Sequence, residues 1–412
     1  MTSPLSTPGP TLGVVGGGQL GRMMAEAAAP LGVELVVLDP TPDCPASPVA
    51  RDQIVGDFDD PDAVRELADR ADFLTFEIEL TDPDLLETVG EEAGVPVHPS
   101  PDTLRTIQDK LVQKRELAEA GIPVPAFRRA DDADDLRDAL DDLGAPAMVK
   151  ARTGGYDGRG NAPVEDPDEA EAVLDAVGAG EGGAMVEELV DFEREVSVIG
   201  VKGDDEVATF PVGENVHEEE ILRETVVPAR TSDAVRERAE AVARDVLEFL
   251  DGRGVYGIEL FEASEPGDGE GEILVNEIAP RPHNSGHWTI EGALTSQFEQ
   301  HVRAVTGRPL GATELRATTA MANILGDVRE SKDSRAHQNP SDSEDVDERQ
   351  TAELHGVDEA LATPAVGFHW YGKREVYPLR KMGHVTAVED GGDPDELLAK
   401  ARDVRDGLTF DS

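Results

Sequence analysis

The stretch TLGVVGGGQLGRMMAEAAAPLGVELVVLD, residues 11–39, decides the fold of the N-terminal part of the chain. It runs from an apolar strand through a glycine turn and an alanine-rich helix into a second apolar strand, which is the order of a βαβ unit. The alternation continues with a helical PDAVRELADRA, a strand in ADFLTFEIE and a strand in GVPVHPSPDTL. We therefore predict an α/β domain over residues 11–103, preceded by a flexible N-terminus at residues 1–10.

The glycine turn GGGQLG, residues 16–21, fits the pattern G-x-G-x-x-G between a strand and a helix, and Asp39 ends the next strand. A dinucleotide-binding domain has this arrangement, so an NAD site is one interpretation. A helix N-terminus also binds other phosphate groups, because its first backbone N–H groups lack partners within the helix. A tight structural turn with no ligand is the third interpretation, and the spacing alone leaves all three open.

The middle of the chain, residues 104–305, predicts an α+β domain. Apolar residues recur at helical spacing in LRTIQDKLVQKRELAEA, residues 104–120. A charged helix follows at about 232–250, and short strands are predicted over 147–150, 184–190, 195–201, 206–212, 255–261 and 273–278. Residues 306–412 predict a small C-terminal domain with antiparallel strands. The polar, acidic stretch near 327–350 predicts a surface insertion in that domain.

A second glycine-rich segment, MVKARTGGYDGRGNA, spans residues 148–162. Its first residues predict a strand that ends at Lys150, and the glycines after it can bring backbone N–H groups against a polyphosphate. Lys150 and Arg159 would then neutralise phosphate charge. A flexible hairpin with solvated arginines is the alternative. The phosphate interpretation is favoured because cations are scarce in so acidic a chain.

A pair of carboxylates points to a metal. The strands around Glu259 and Glu277 flank the turn-rich ASEPGDGEGE, which indicates a hairpin. Each glutamate lies nine residues from Asp268, so a hairpin centred there places the two opposite each other. We place Glu259 on one face with Gly257 and Phe261, and Glu277 with Val275 and Ala279. Facing carboxylates repel and resist ionisation unless a hard cation such as Mg²⁺ lies between them. A different register, with one glutamate in water, is the alternative.

Two further groups carry weaker signals. His283 and His287 are spaced like zinc ligands, but Pro282 and the intervening NSG disfavour a helix that presents both, so a polar loop in contact with substrate is preferred. Lys373, Arg374, Arg380 and Lys381 gather within nine residues of an otherwise acidic chain. They indicate either a solvated basic edge or, as we prefer, a phosphate anchor.

The composition limits the partners and the compartment. The chain of 412 residues has 87 acidic and 37 basic residues and a formal net charge of −50. Such a surface repels nucleic acid and anionic membranes, and it keeps a protein soluble in concentrated salt, as in halophiles. Mimicry of nucleic acid is a minor alternative, because the acids are spread along the chain. The single cysteine, Cys44, suits a reducing cytosol, and no signal peptide or membrane span is recognisable, so we expect a cytoplasmic protein.

Together these elements resemble the ATP-grasp ligases. The segments GGGQLGRM, RTGGYDGRG, the NE of VNEIAPRPHNSGHWT, SQFE at 296–299, and HWYGK followed by RKMGH are similar to those of the N5-carboxyaminoimidazole ribonucleotide synthase family, and the similarity covers residues 11–390. The resemblance implies a Rossmann-like pre-ATP-grasp domain (11–103), a central ATP-grasp domain (104–305), a small β-rich C-terminal domain (306–412) and a homodimer. It also implies ATP-dependent carboxylation of 5-aminoimidazole ribonucleotide with bicarbonate, through carboxyphosphate.

The resemblance also implies the nucleotide site. Lys110 and Lys150 would reach the ATP phosphates, Glu195 would hold the ribose, and His217 would lie beside the nucleotide. Glu259 and Glu277 would carry Mg²⁺, with Asn276 adjacent. The remaining nucleotide residues form a closing loop, Tyr156, Asp157, Gly158, Arg159, Gly160 and Asn161, and an adenine-contacting segment, Glu187, Glu188, Leu189 and Val190.

In this family the first glycine turn serves the substrate rather than NAD. By resemblance the substrate contacts are Gly18, Gln19, Leu20, Glu77, Tyr156, Asp157 and Arg159, with Lys373 and Arg380 on the substrate phosphate. Arg281, His283 and Asn284 match the segment that receives bicarbonate, and Asp157 would orient the substrate amine or accept its proton.

Two departures from the family pattern stand out. The E-x-E-N expected after the third strand reads EIEL, with Leu80 in place of asparagine, and the acidic insertion has no counterpart. A formate-dependent phosphoribosylglycinamide formyltransferase is the nearest alternative within the superfamily. An NAD-dependent dehydrogenase and a non-catalytic ATP-binding regulator are alternatives of other classes, the latter disfavoured by the intact Glu259 and Glu277 pair.

Overall fold

The computed structural model describes residues 6–154, 160–264, 271–326 and 349–410. Four predicted site residues, Tyr156, Asp157, Gly158 and Arg159, lie outside these ranges. Most of the predicted acidic insertion and the first five residues of the predicted flexible N-terminus also lie outside them. Within the described ranges, no helix combines the length and the apolar character that a membrane crossing requires.

The N-terminal domain is a parallel sheet with helices against it, as predicted. Its four strands lie in the order β3-β2-β1-β4 and are parallel throughout. β1 is buried along its whole length, as expected of a parallel strand covered on both faces. The elements are β1 (Thr11–Val15), α1 (Gln19–Ala28), β2 (Glu34–Asp39), β3 (Asp52–Val55), α2 (Pro61–Asp69), β4 (Phe73–Phe76) and α3 (Pro83–Ala93).

The single helix predicted over 104–120 is wrong: the segment forms two helices, α4 (Pro101–Gln108) and α5 (Lys110–Glu119). Asp109, between them, has an extended backbone, and its carboxylate accepts hydrogen bonds from the backbone N–H groups of Leu111 and Val112. An aspartate that caps a helix in this way ends the preceding helix and begins the next. Apolar spacing continues across the break, so periodicity alone does not reveal it.

A small antiparallel sheet with strand order β5-β8-β6-β7 follows, covered by two helices. Its core consists of aliphatic residues from both layers. The predicted strand at 147–150 is confirmed as β6, and that at 184–190 as β8. The elements are β5 (Phe127–Ala130), α6 (Ala133–Leu143), β6 (Ala147–Ala151), β7 (Asn161–Val164), α7 (Ala170–Ala176) and β8 (Ala184–Glu188).

The other strands of the middle region belong to a large antiparallel sheet, against which α8 packs. The predicted strands at 195–201, 255–261 and 273–278 and the helix at 232–250 are confirmed. The strand predicted at 206–212 forms only over Val207–Thr209, and the strands β11 and β12 were not predicted. The elements are β9 (Phe192–Lys202), β10 (Val207–Thr209), β11 (Gly213–Glu218), β12 (Ile221–Val227), α8 (Asp233–Phe249), β13 (Gly254–Ala263), β14 (Ile273–Ala279), α9 (Thr289–Gly292) and α10 (Gln297–Val305).

The C-terminal strands extend this large sheet. β15 pairs antiparallel with β12, and β20 pairs with β15 and β18, so the main path reads β14-β13-β9-β11-β12-β15-β20-β18. Helix α12 covers this end, where Arg402 and Arg405 both donate to the buried carboxylate of Glu224 on β12. The elements are β15 (Thr318–Leu325), β16 (Gln350–Thr351), β17 (Leu354–His355), α11 (Val357–Ala362), β18 (Val366–Trp370), β19 (Glu375–Val376), β20 (Lys381–Glu389), α12 (Pro394–Asp406) and β21 (Thr409–Phe410).

A buried histidine joins the N-terminal sheet to the large sheet. His301 on α10 accepts a hydrogen bond at Nδ1 from the backbone N–H of Val255 on β13, and its Nε2 lies 2.9 Å from the hydroxyl of Thr75 on β4. Because Nδ1 accepts, Nε2 carries the hydrogen and donates to Thr75. Burial lowers the pKa of His301 to about 3, so the imidazole is neutral in the folded protein.

Candidate active site

The first glycine turn is closed by a carboxylate of the chain itself. Glu77, which follows β4, accepts hydrogen bonds from the backbone N–H groups of Gly18 and Gly21 at the start of α1. A β-carbon at Gly16 would lie 2.3 Å from Glu77 Cγ, and one at Gly18 would lie 2.7 Å from Glu77 Oε1. These glycines therefore make room for Glu77. Burial raises the pKa of Glu77, against the opposing effect of its two backbone hydrogen bonds.

Asp39, the aspartate that would bind the ribose of a dinucleotide, is already hydrogen-bonded within the protein. Asp39 accepts hydrogen bonds from the backbone N–H groups of Gly17, at 2.9 Å, and Thr41, at 2.8 Å. A dinucleotide site needs a free helix N-terminus for the pyrophosphate and a free acid for the ribose. Here Glu77 occupies the helix N-terminus, and the loop backbone already binds the Asp39 carboxylate. Both contacts count against the NAD interpretation.

A buried ion-pair cluster lies where the small sheet meets the large one. Glu187 on β8 accepts hydrogen bonds from Lys150 on β6, at 2.6 Å, and lies 2.7 Å from Lys114 Nζ on α5. Lys114 also donates to the carbonyl of Val275 on β14, and Lys150 Nζ lies 3.5 Å from Asn276 Oδ1. The two lysines therefore bridge the sheets, and the space beside them is called the intersheet cleft below.

The charges of this cluster hold Glu187 ionised. Burial by itself would raise the pKa of Glu187, but the charges of Lys114 and Lys150 outweigh burial and lower it to about 2. Burial lowers the pKa of Lys114 to about 8, only partly opposed by Glu187. Burial also acts to lower the pKa of Lys150, but the Glu187 carboxylate outweighs it and raises that pKa. Lys150, at the edge of the cleft, therefore stays a cation.

The second glycine segment connects β6 to β7, with Lys150 paired to Asn161 across the hairpin. Lys110, the first residue of α5, donates its backbone N–H to the carbonyl of Arg152, so the predicted phosphate-binding lysine lies next to the base of this loop. Arg152 in turn forms an ion pair with Asp109. Gly160 has a φ of +82°, a conformation that favours glycine.

The predicted hairpin register is confirmed: Glu259 on β13 lies directly opposite Glu277 on β14. Burial, together with the charge of Glu277, raises the pKa of Glu259 to about 7 against the opposing charge of His217. Glu259 thus resists ionisation, as the sequence predicted for a buried carboxylate that faces another. Glu277 is exposed at the cleft and Glu259 is half-buried.

The predicted face of Glu277 is wrong in one respect, because the register shifts directly after this pair. Leu260 pairs with Val275, which leaves Asn276 as the extra residue of a β-bulge. As a result, Val275 packs in the hydrophobic core while Asn276 and Glu277 both lie outside it. Glu277 therefore does not share a face with Val275. The bulge adds the Asn276 amide to the carboxylate pair at the cleft.

Glu195, predicted to hold the ribose, and His217, predicted to lie beside the nucleotide, lie together on the large sheet. Glu195 on β9 accepts a hydrogen bond from His217 Nδ1 on β11. Burial favours the neutral imidazole, but the hydrogen bond to Glu195 outweighs it and raises the pKa of His217. The predicted adenine segment connects β8 to β9; within it Glu188 accepts a hydrogen bond from the Ala126 backbone, and Leu189 is exposed.

The predicted bicarbonate segment follows β14. Arg281 Nε lies 2.8 Å from Glu79 Oε1. Burial disfavours the charge of Arg281, but Glu79 outweighs burial and raises its pKa. His283 Nε2 lies 3.8 Å from Glu259 Oε1, and burial together with the Arg281 charge lowers the pKa of His283 well below its usual value. A neutral histidine thus lies beside Glu259 of the carboxylate pair.

Asn284, the third residue of this segment, has its side chain in the protein interior. It exchanges two hydrogen bonds with Asn323 on β15, at 3.1 and 2.7 Å. Only 7% of Asn284 is exposed. Its amide therefore fixes the 281–287 loop to the large sheet, and a ligand would reach it only by replacing one of these bonds.

Two predicted substrate residues that are far apart in sequence are brought together. Lys373 Nζ donates to Gln19 Oε1 at 2.8 Å, and also to the carbonyl of Lys381. Arg380 donates to the Glu375 carbonyl and stacks over the Tyr377 ring. Leu20 packs in the core of the N-terminal domain, so only its backbone is available to a ligand.

Sequence reasoning missed several residues of the site. Lys114, Glu79 and Asn323 were not singled out, although each contacts a predicted residue. Lys114 did carry a signal, because it lies on the apolar face of its helix midway between Leu111 and Leu117. Glu79 also carried a signal, because it is the second glutamate of the EIEL segment that matches the family pattern. Asn323 carried none, since its partner Asn284 is distant in sequence.

Family models match the three regions in order. A ribonucleotide synthetase preATP-grasp domain matches residues 10–108, an ATP-grasp domain matches 115–298, and a phosphoribosylaminoimidazole carboxylase C-terminal domain matches 319–399. N5-carboxyaminoimidazole ribonucleotide synthase of Brucella melitensis is 39% identical over 383 residues, which cover 93% of this chain and 97% of that protein. The chain belongs to the N5-carboxyaminoimidazole ribonucleotide synthase family.

Solved structures of N5-carboxyaminoimidazole ribonucleotide synthases share the whole architecture. The Thermotoga maritima enzyme has a TM-score of 0.82 at 38% identity, covering 98% of this chain and 99% of its own. The Aspergillus clavatus enzyme, in complex with ADP and 5-aminoimidazole ribonucleotide, has a TM-score of 0.83 at 33% identity, covering 97% and 100%. The chain also matches a chloroplastic phosphoribosylaminoimidazole carboxylase of Vigna aconitifolia at 40% identity, covering 92% of this chain but only 64% of that longer protein.

Proposed function

We propose that this chain joins bicarbonate to the exocyclic amine of 5-aminoimidazole ribonucleotide at the expense of ATP, giving N5-carboxyaminoimidazole ribonucleotide, ADP and phosphate, in purine biosynthesis. The observation that carries the proposal is the cleft itself. The Glu259 and Glu277 pair and Lys150 face the intersheet cleft, and the Arg281–His283 segment connects them to the turn that Glu77 closes. Nucleotide, bicarbonate and amine sites would thus be contiguous.

Activation of bicarbonate is the first step of the proposed reaction. Bicarbonate is a poor electrophile, and phosphoryl transfer from ATP converts it to carboxyphosphate. Catalysis of such a transfer depends on positioning and on charge stabilisation. Lys150, held as a cation by Glu187, would contact the transferred phosphoryl group, and Lys110 would assist at the base of the glycine loop. Arg281 would hold the bicarbonate oxygens beside the neutral His283.

The carboxylate pair fits a magnesium ion. Carboxylate oxygens are the ligands that Mg²⁺ prefers, and the raised pKa of Glu259 reflects burial and like-charge repulsion that a cation relieves. Glu259 and Glu277 would hold the ion, with the Asn276 amide oxygen beside them. When bound, Mg²⁺ neutralises phosphate charge during the transfer.

Capture of the amine is the second step. Carboxyphosphate, or the CO₂ that it releases, meets the exocyclic amine of the ribonucleotide. Asp157 is proposed to orient the amine or accept its proton. The closing loop, residues 156–161, is proposed to exclude water, which would destroy carboxyphosphate. Gly18, Gln19 and Glu77 would contact the substrate body. Lys373, already bound to Gln19, would contact the substrate phosphate together with Arg380.

The proposal extends to the state of the protein in the cell. We place it in the cytoplasm as a homodimer that works in concentrated salt. The net charge of −50 supports the salt requirement, and the buried free Cys44 agrees with a reducing compartment.

Phosphate release measured with each substrate omitted in turn, in molar potassium chloride, tests the proposed function. We expect release that depends on ATP, bicarbonate and 5-aminoimidazole ribonucleotide together. Release that requires formate and glycinamide ribonucleotide instead would identify the formyltransferase alternative. Binding of NAD without binding of ATP would overturn both.

A further inference from the structure

A second polar cluster lies behind the 281–287 loop, where α9 meets the C-terminal strands. His369 on β18 and His384 on β20 are direct partners across the antiparallel pair, so both side chains lie on the same face of the sheet. Glu291 on α9 reaches the same face. Its Oε1 lies 2.5 Å from His369 Nε2. None of the three belongs to the site proposed above.

The three side chains present potential metal-binding atoms close together. One ligand atom from each of Glu291, His369 and His384 lies within 4.8 Å of the others. Ligands about 2.1 Å from a tetrahedral zinc ion are about 3.4 Å apart, so side-chain rotations that close the set by less than about 1.5 Å suffice. The two imidazole rings are stacked, with centroids 4.5 Å apart. The three potential ligand atoms are thus nearly as close together as a bound metal ion requires.

Two atoms of this cluster are buried without a hydrogen-bond partner among the described residues. They are Nε2 of His384 and Oε2 of Glu291. His384 is fully buried, and its Nδ1 lies 2.9 Å from the hydroxyl of Tyr371. A histidine that binds a metal through one nitrogen commonly forms an orienting hydrogen bond through the other, which fixes the tautomer and the ring. Tyr371 provides that bond here, and Nε2 is left without a hydrogen-bond partner among the described residues.

The backbone at Gly367 leaves room for the Glu291 carboxylate. A β-carbon at Gly367, on β18, would lie 2.5 Å from Glu291 Oε1 and 2.7 Å from its Cδ. Any larger residue at this position would push the carboxylate away from His369. The absence of a side chain at Gly367 is therefore needed for the observed approach of Glu291.

We propose that Glu291, His369 and His384 form a binding site for one divalent transition-metal ion of the zinc class. Two imidazole nitrogens and one carboxylate oxygen suit zinc, whereas magnesium prefers oxygen ligands. The site is distinct from the Glu259 and Glu277 pair. Because Glu291 follows the active-site loop and both histidines lie on C-terminal strands, the metal would fasten the loop region to the end of the large sheet.

The first measurement uses the wild-type full chain with cobalt(II) as the probe. The chain is stripped of metal and titrated with cobalt chloride in molar potassium chloride, which screens weak binding to the acidic surface. We expect a visible absorption band typical of low-coordinate cobalt that saturates at one equivalent and is abolished by zinc. The Glu259→Gln, Glu277→Gln double variant should keep the band. Absence of the band in the wild type, or its loss in that double variant, would overturn the proposal.

The second measurement assigns the ligands. Each variant is exposed to zinc and passed through gel filtration, and its zinc content is determined by elemental analysis. We expect about one equivalent in the wild type and less than about one tenth in His384→Asn and Glu291→Gln. The matched control is His355→Asn, which changes an exposed histidine of the same C-terminal region and should keep about one equivalent. Equal zinc in all four proteins would show that Glu291 and His384 do not hold the ion, and would overturn the proposal. If either ligand variant fails to fold, the wild-type cobalt titration decides alone.

Discussion

Glu259 and Glu277 face each other across an antiparallel strand pair, at the register position where a β-bulge begins. Burial and the facing charge together raise the pKa of Glu259 to about 7. The bulge matters as much as the pairing, because it turns Asn276 and Glu277 toward the cleft while Val275 remains in the core. A regular hairpin of the same sequence would bury one of these polar side chains.

Removal of one carboxylate of this pair should abolish turnover without loss of the fold. We expect Glu277→Gln to lower ATP-dependent phosphate release by at least about 100-fold, because the proposed cation site loses a ligand. The thermal midpoint should stay within a few degrees of wild type or rise, since like-charge repulsion is relieved. The control is Glu272→Gln, which removes an exposed charge next to the same hairpin. Turnover in Glu277→Gln equal to that of the control would contradict the assignment.

Lys114 should act through Lys150 rather than on the nucleotide itself. In Lys114→Met, Lys150 is the one remaining partner of the two lysines that pair with Glu187. Because Glu187 then binds Lys150 more tightly, Lys150 is less available to phosphate. We expect the KM for ATP to rise about tenfold with a smaller change in kcat. Steady-state kinetics with ATP varied measure this split. Arg115→Met, an exposed change on the same helix, serves as the control, and an unchanged KM for ATP in Lys114→Met would refute the positioning role.

Gly18 should be required for its lack of a side chain. Its φ of −76° is open to any residue, but a β-carbon there would lie 2.7 Å from Glu77 Oε1. We expect Gly18→Ala to displace Glu77 and to raise the KM for 5-aminoimidazole ribonucleotide about tenfold or more. Gly182→Ala is the matched control, because a β-carbon at Gly182 would meet nothing within 4 Å. Similar kinetics in the two variants would show that Glu77 does not depend on this space.

His301 should make the stability depend on pH. Its pKa is lowered from 6.5 to about 3 in the folded protein. Because the folded value lies below the unfolded one, the contribution of His301 is fully present above about pH 6.5 and is lost as the pH falls toward about 3. One such group changes the free energy of unfolding by up to about 1.4 kcal/mol per pH unit in this window.

Urea unfolding between about pH 7 and about pH 5 measures this dependence. His301→Gln keeps an acceptor for the Val255 N–H and a donor for Thr75 but cannot titrate. We expect the free energy of unfolding to fall less steeply with decreasing pH in the variant than in wild type. The two slopes should differ by at most the value for one bound proton, about 1.4 kcal/mol per pH unit. Other buried histidines, among them His384, also have lowered pKa values and contribute to the pH dependence of stability in both proteins. Identical slopes would exclude His301 as a contributor.

Local patterns in the sequence predict much of the fold. The βαβ unit follows from apolar runs around a glycine turn, and the pairing of Glu259 with Glu277 follows from the position of the turn between them. Both depend on residues close in the chain. The break at Asp109 and the bulge at Asn276 were missed because hydrophobic periodicity continues through the first and strand alternation does not reveal the second.

Contacts between residues that are distant in sequence could not be predicted from local patterns. The glycine pattern at 16–21 is compatible with NAD until Glu77, about 60 residues away, is seen to occupy the helix N-terminus. In the same way, nothing local to Asn284 indicates that its amide is engaged by Asn323. Composition and spacing describe what a segment can bind, whereas tertiary contacts determine which of those groups are already taken.

The place of β15 in the large sheet has a consequence for truncation. β12 pairs with β11 on one side and with β15 on the other. A fragment that stops before residue 318 would leave the outer side of β12 as an unprotected edge, with its N–H and C=O groups open to pairing with other molecules. Such a fragment should self-associate, so we expect that the chain cannot be shortened to the region that carries the proposed nucleotide residues alone.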